Sequence, residues 1–165
     1  NAEEFGCLGS TQFITKYKSN ITKSKVFNFD MIGSNNNIPL CIMGAKKDTT
    51  KTPFIKSVSS ICKSENIFFN YLFEDASDHE GFRKQNIDAI TFCDNDMTRI
   101  HTPEDTYDHI SLAAIKRCYD VASKAIVKCT FKDNFIILYY KECFIISIIG
   151  TLVVSLLYNK SNKTF

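Results

Sequence analysis

Residues 26–33 read VFNFDMIG, and this stretch decides the fold. Val26, Phe27, Phe29, Met31 and Ile32 supply an alternating, β-rich pattern that predicts a strand over residues 26–32. Asp30 interrupts it near its C-terminal end, and Gly33 with the polar run 34–37 turns the chain away. A carboxylate in so apolar a strand is costly unless it is paired or metal-bound. Upstream, residues 9–19 have helical character. Downstream, residues 38–43 form a second strand candidate, and a polar connection at 46–53 leads to a helix at 54–63 with Ile55, Val58, Ile61 and Cys62 on one face. Residues 67–73 form a third strand, 74–79 a polar loop at its end, 81–86 a short helical piece and 87–93 a fourth strand. A long polar loop at 94–107 precedes the clearest helix, 110–129, where Asp105, Thr106 and Asp108 stand as capping and the helix dipole favour. Strands alternating with helices imply an α/β sandwich with a mostly parallel sheet. In such a sheet polar groups at strand ends converge on one edge, and Glu3, Glu4, Asp30, Asp78 and His79 all fall at expected strand ends.

Bulk properties narrow the classes. The 165 residues fit one domain with a real core. A net charge of +2 gives no reason to expect a nucleic-acid partner. The 14 Phe and 7 Tyr suit a packed domain rather than a disordered one. The 7 cysteines show no CxxC spacing, so a cysteine zinc site is not expected, and most sit in apolar runs as small core residues.

Four polar stretches could carry chemistry: NAEEFGCLGS (1–10), FNFDMIG (27–33), ASDHEGF (76–82) and IHTPEDTYDHI (100–110). Singly each is ordinary, since adjacent glutamates are usually solvated charge and a loop histidine is usually just exposed. Together, and in this order, they resemble the M28-type co-catalytic zinc aminopeptidases from residue 1 to about residue 128. The resemblance implies a zinc exopeptidase-like three-layer sandwich. It makes Glu3 the general base and Glu4 a zinc ligand, ahead of the turn Gly6, Cys7, Leu8, Gly9 and Ser10. It makes Asp30 the ligand of an Asp-Met-Ile-Gly stretch, and His101 the ligand of a His-Thr-Pro-x-Asp-Thr stretch completed by Thr102, Pro103, Asp105 and Thr106. Asp78 and His79, in a Ser-Asp-His loop that starts at Ser77, become supporting groups that orient ligands or meet the substrate. His109 has no counterpart and is expected on a helix surface.

The same resemblance implies two zinc ions and a peptide substrate for the complete protein. It also implies an upstream His and a bridging Asp, both of which would precede Asn1. Residues 1–131 therefore read as the C-terminal part of a catalytic domain, expected to be inactive alone. Within it one zinc keeps Glu4 and His101 and the other only Asp30, against the usual three protein ligands of a catalytic site. Two other readings stay open: a single-zinc glutaminyl cyclase-like transferase, and a metal-free interaction module on a peptidase fold. The aminopeptidase reading requires Glu4 and His101 to come within coordination reach, with Asp30 across the same cleft.

Residues 135–158 are almost wholly apolar, broken by Lys141 and Glu142, and a polar tail follows at 159–165. Residues 143–158 carry no charge. As a helix that stretch spans only about 24 Å against a ~30 Å hydrocarbon core, while a start at 135 reaches about 36 Å. The segment is expected to be a transmembrane helix that anchors the domain, with its orientation left open by lysines on both flanks. A buried core element is the competing reading.

Overall fold

The computed structural model describes residues 3–48, 51–131 and 139–161. In chain order the elements are α1 (Leu8–Ile21), β1 (Lys25–Phe29), β2 (Leu40–Gly44), α2 (Pro53–Ser64), β3 (Phe69–Phe73), α3 (His79–Lys84), β4 (Asp88–Cys93), α4 (Leu112–Thr130) and α5 (Tyr140–Ser161), with a 3-10 turn at Tyr107–His109. The strands form one sheet in the order β1-β4-β2-β3. β1 runs parallel to β4 and β2 parallel to β3, while β2 and β4 meet antiparallel. The result is the expected α/β fold with a mostly parallel, mixed sheet.

Period-two alternation sorts the two faces of the sheet. Val26 and Asn28 share one face with their partners Ala89 and Thr91. There α1 and α3 contribute Ile14 and Phe82, which pack with Ile87 and Ala89. Phe27 and Phe92 look the other way, toward α2, where the Phe27 and Phe54 rings meet edge to face at 5.1 Å. In α2, Phe54, Ile55, Val58, Ile61 and Cys62 are buried, each large side chain contributing on the order of 2 kcal/mol. The helix starts cleanly because Pro53 occupies its first turn and the Thr52 hydroxyl accepts from the Ile55 amide at 3.2 Å. Gly44 lets it approach β2: a Cβ there would lie 2.8 Å from Ile55 Cδ1. An ion pair between Lys124 and Glu65 ties α4 to the end of α2. Helices thus cover both faces, giving three layers.

Three of the differences from the sequence reading bear on the site. The first strand stops at Phe29 because Met31 takes a left-handed backbone, with φ 53°. Asp30 therefore stands just past the strand end, its amide still donating to Phe92 O at 3.1 Å. The last helix of the first unit starts at Leu112 rather than 110, since Ile110 forms a bridge with Ser34. Its capping oxygen comes from Ser111, which accepts from the Ala114 amide at 3.3 Å, and not from Asp105, Thr106 or Asp108. Finally, β3 runs opposite to β1 and β4. The end of β3 therefore lies at the edge opposite Asp30, and the loop after it crosses back over the sheet face to bring Ser77 and Asp78 beside Asp30.

The chain forms two compact units, Asn1–Ala125 and Ile126–Phe165. In the second unit, Tyr140–Tyr158 is a 19-residue stretch of mean hydropathy 1.8, long and apolar enough to cross a membrane. Lys141 and Glu142 lie in the first turn of α5. Residues 135–138 of the expected span and 162–165 of the expected tail lie outside the described residues, and α5 continues to Ser161.

Candidate active site

The two glutamates are presented by a tight turn. The amides of Gly6 and Cys7 both donate to Glu3 O, at 2.9 and 2.8 Å. Gly6 and Cys7 are both left-handed, with φ 86° and 56°. A glycine suits the first of these because side chains disfavour that backbone. The chain reverses there and α1 begins at once, leaving Glu3 and Glu4 on the rim of a cleft of about 650 Å³. Asn28, Asp30, Ser77 and Asp78 line the same cleft.

His101 arrives from the far end of the first unit. It sits in a turn where the Thr102 amide and hydroxyl both donate to Arg99 O, at 3.1 and 2.7 Å. Its own φ is 60°. Its Nε2 lies 3.0 Å from Glu4 Oε2, with both side chains about two-thirds exposed (67% and 68%). Asp30 Oδ2 accepts from the Ser77 hydroxyl at 2.7 Å, and Asp78 Oδ1 accepts from the Ser10 hydroxyl at 2.5 Å. Partial burial raises the Glu3 pKa above the ordinary carboxylate value, and the neighbouring Asp30, Glu4 and Asp78 carboxylates raise it further. A bound cation would relieve this crowding of Glu3.

Neither His79 nor His109 lines the cleft of Glu3 and Glu4. His79 is fully buried, with Nε2 2.9 Å from Glu74 O and Nδ1 2.9 Å from Thr91 Oγ1, and burial lowers its pKa. Any influence on the site passes through neighbours. His109 is half-buried rather than on a helix surface. It ends the 3-10 turn before α4 and lines a hollow of about 110 Å³ with Met31, Ser34, Asp96 and Arg99.

Sequence reasoning missed the side chains that hold this arrangement. Asp94, 1% exposed, accepts from the amides of Gly33 and Ser34 at 2.6 and 2.9 Å and from Arg117 Nη2 at 2.7 Å. It thereby fastens the loop that follows Asp30. The Ser34 hydroxyl in turn donates to Asp96 at 2.5 Å and, with Thr98 and Asn36, holds that carboxyl well below its usual range. Asn28 and Thr91 are polar side chains within apolar strands, and that break in the alternation was the available signal.

The donor set suits zinc in kind, being carboxylate and imidazole. Glu4 and His101 could share one ion and Asp30 could reach another. Among the described residues no group of three or more His, Cys, Asp and Glu side chains is close enough together to hold a metal ion.

Solved structures share the fold. The zinc aminopeptidase BSAP from Bacillus subtilis matches with a TM-score of 0.70 at 24% identity, over 78% of this chain and 34% of that one. An aminopeptidase from Aneurinibacillus sp. strain AM-1 matches with a TM-score of 0.69 at 27% identity, over 78% of this chain and 32% of that one. The LapA aminopeptidase of Legionella pneumophila gives 0.63 at 22% identity, over 74% and 34%. The matches at 24% and 22% identity bear on the fold alone. The chain spans about a third of the length of each structure. No curated protein matches it. Residues 1–126 match Peptidase family M28, and with most of its length accounted for in this way, the chain belongs to that family.

Proposed function

We propose that the complete protein is a zinc-dependent aminopeptidase that removes N-terminal residues from peptides. The observation that carries this reading is the approach of Glu4 Oε2 and His101 Nε2 to 3.0 Å, from opposite ends of the first unit and beside Glu3 and Asp30. Glu4 and His101 would hold one zinc ion, and Asp30 would contribute to a second. Bound zinc would polarise the scissile carbonyl and lower the pKa of a water molecule. Glu3, next to Glu4 and crowded by carboxylates, would serve as general base, holding the proton that an attacking water gives up and a leaving amine takes. Ser77 holds one oxygen of Asp30, which lines the cleft. Asp78, bonded to Ser10, keeps the loop with Ser77 against α1. On its own, this chain offers too few donors for tight zinc binding. The second unit anchors the protein in a membrane through α5.

Glu3→Gln in the full-length protein separates base from ligand. The variant should keep its zinc and lose about 10²–10⁴-fold in turnover of an aminoacyl-nitroanilide. Loss of metal, with wild-type turnover once zinc is returned, would reverse the roles of Glu3 and Glu4.

A further inference from the structure

His79, the first residue of α3, is fully buried, and its hydrogen bonds run in one direction only. Glu74 O is a carbonyl and can only accept, so His79 Nε2 carries the proton of that 2.9 Å bond. In the neutral ring Nδ1 is then an acceptor, and the Thr91 hydroxyl donates to it at 2.9 Å. Having spent its proton, Thr91 Oγ1 accepts from Asn28 Nδ2 at 3.1 Å. The same Asn28 nitrogen donates to Ser77 Oγ at 2.8 Å. Ser77 is thereby left to donate to Asp30 Oδ2 at 2.7 Å, which as a carboxylate can only accept. Every hydrogen in the chain is assigned by its neighbours, and no link can turn round alone. The links sit on β1, β4, the start of α3 and the loop that crosses the sheet face, and the sheet register sets Asn28 beside Thr91.

We infer that Asn28, Thr91 and His79 are positioning residues: a one-way chain of hydrogen bonds, begun at the buried His79 ring, fixes the orientation of the Asp30 carboxylate and so its hold on a metal ion. This rests on the reading of Asp30 as a zinc ligand. Side chains behind a ligand typically govern metal affinity about 10–100-fold. A role confined to stability would leave metal affinity untouched.

Chelator competition on the full-length protein measures the zinc that is lost in Asp30→Asn. Thr91→Val keeps the shape but removes the hydroxyl; it should weaken that zinc by about tenfold. Thr91→Ser, which restores the hydroxyl, should restore the affinity. Asn28→Ala, at a less buried position on the cleft wall, should weaken it likewise and serves if Thr91→Val does not fold. Wild-type zinc affinity in folded Thr91→Val or Asn28→Ala, with zinc still lost in Asp30→Asn, would overturn the chain of command while leaving Asp30 a ligand. Unchanged affinity in Asp30→Asn would overturn the ligand reading and this inference with it.

Discussion

At the scale of single residues, the resemblance of four short stretches to the M28 peptidases made Glu3, Glu4, Asp30 and His101 legible as candidates. Their partners were not legible, because those lie far off in sequence. Nothing near Asp30 announces Ser77, and nothing near Gly33 announces Asp94. His79 shows the same gap: its motif suggests a place at the cleft, whereas its ring completes the buried face between α3 and β4. Burial holds His79 below its usual pKa of 6.5, which makes stability depend on pH. Below about pH 6.5 the unfolded chain takes up a proton that the folded ring refuses. Stability is therefore lost as the pH falls from there to the lower folded value, and no more is lost beneath it. The melting temperature should drop between about pH 7 and pH 5, and the drop should be smaller in His79→Gln. The Asp94–Arg117 pair gives a second test. Arg117→Met leaves a 1%-exposed carboxylate with only backbone donors. Chemical denaturation should show a loss of about 3 kcal/mol, the low end for a broken buried pair because Arg117 is partly exposed.

At the scale of elements, the strands and helices of the first unit were legible because each buries one face and repeats at its own period. What alternation cannot report is strand direction. Residues 67–73 read alike whether they run with β1 or against it, and the pairing of β2 with β4 decided the matter. The start of α4 was misplaced for a local reason: Ile110 continues the apolar spacing but is used in a bridge to Ser34. In α2 the cap is a direct test. Thr52→Ala removes the hydroxyl that accepts from the Ile55 amide and should cost about 1 kcal/mol in thermal or denaturant unfolding. In α5 the placing of Lys141 and Glu142 in the first turn leaves the 19 residues of Tyr140–Tyr158 as the span. They reach about 28 Å as a helix, close to the ~30 Å hydrocarbon core. Membranes from cells making the full-length protein should retain it through carbonate extraction. Release into the soluble fraction with this helix intact would mean that α5 is not an anchor.

At the scale of the whole molecule, the sheet, its two helical layers and the turn of Glu3–Gly6 bring two ends of a long sequence to one place. Glu4 and His101 meet because the turn before α1 and the loop after β4 converge. Carboxylates from three separate segments gather beside them, with Asp30 at the end of β1 and Asp78 ahead of α3. The first unit covers about a third of the matched aminopeptidases, so the activity is a property to be measured on the complete protein. The direct measurement is the turnover of an aminoacyl-nitroanilide by that protein before chelation, after chelation and after zinc is returned. Turnover that vanishes with the chelator and returns with zinc is the predicted result. Turnover indifferent to the chelator, or none in the zinc-loaded protein, would contradict the account.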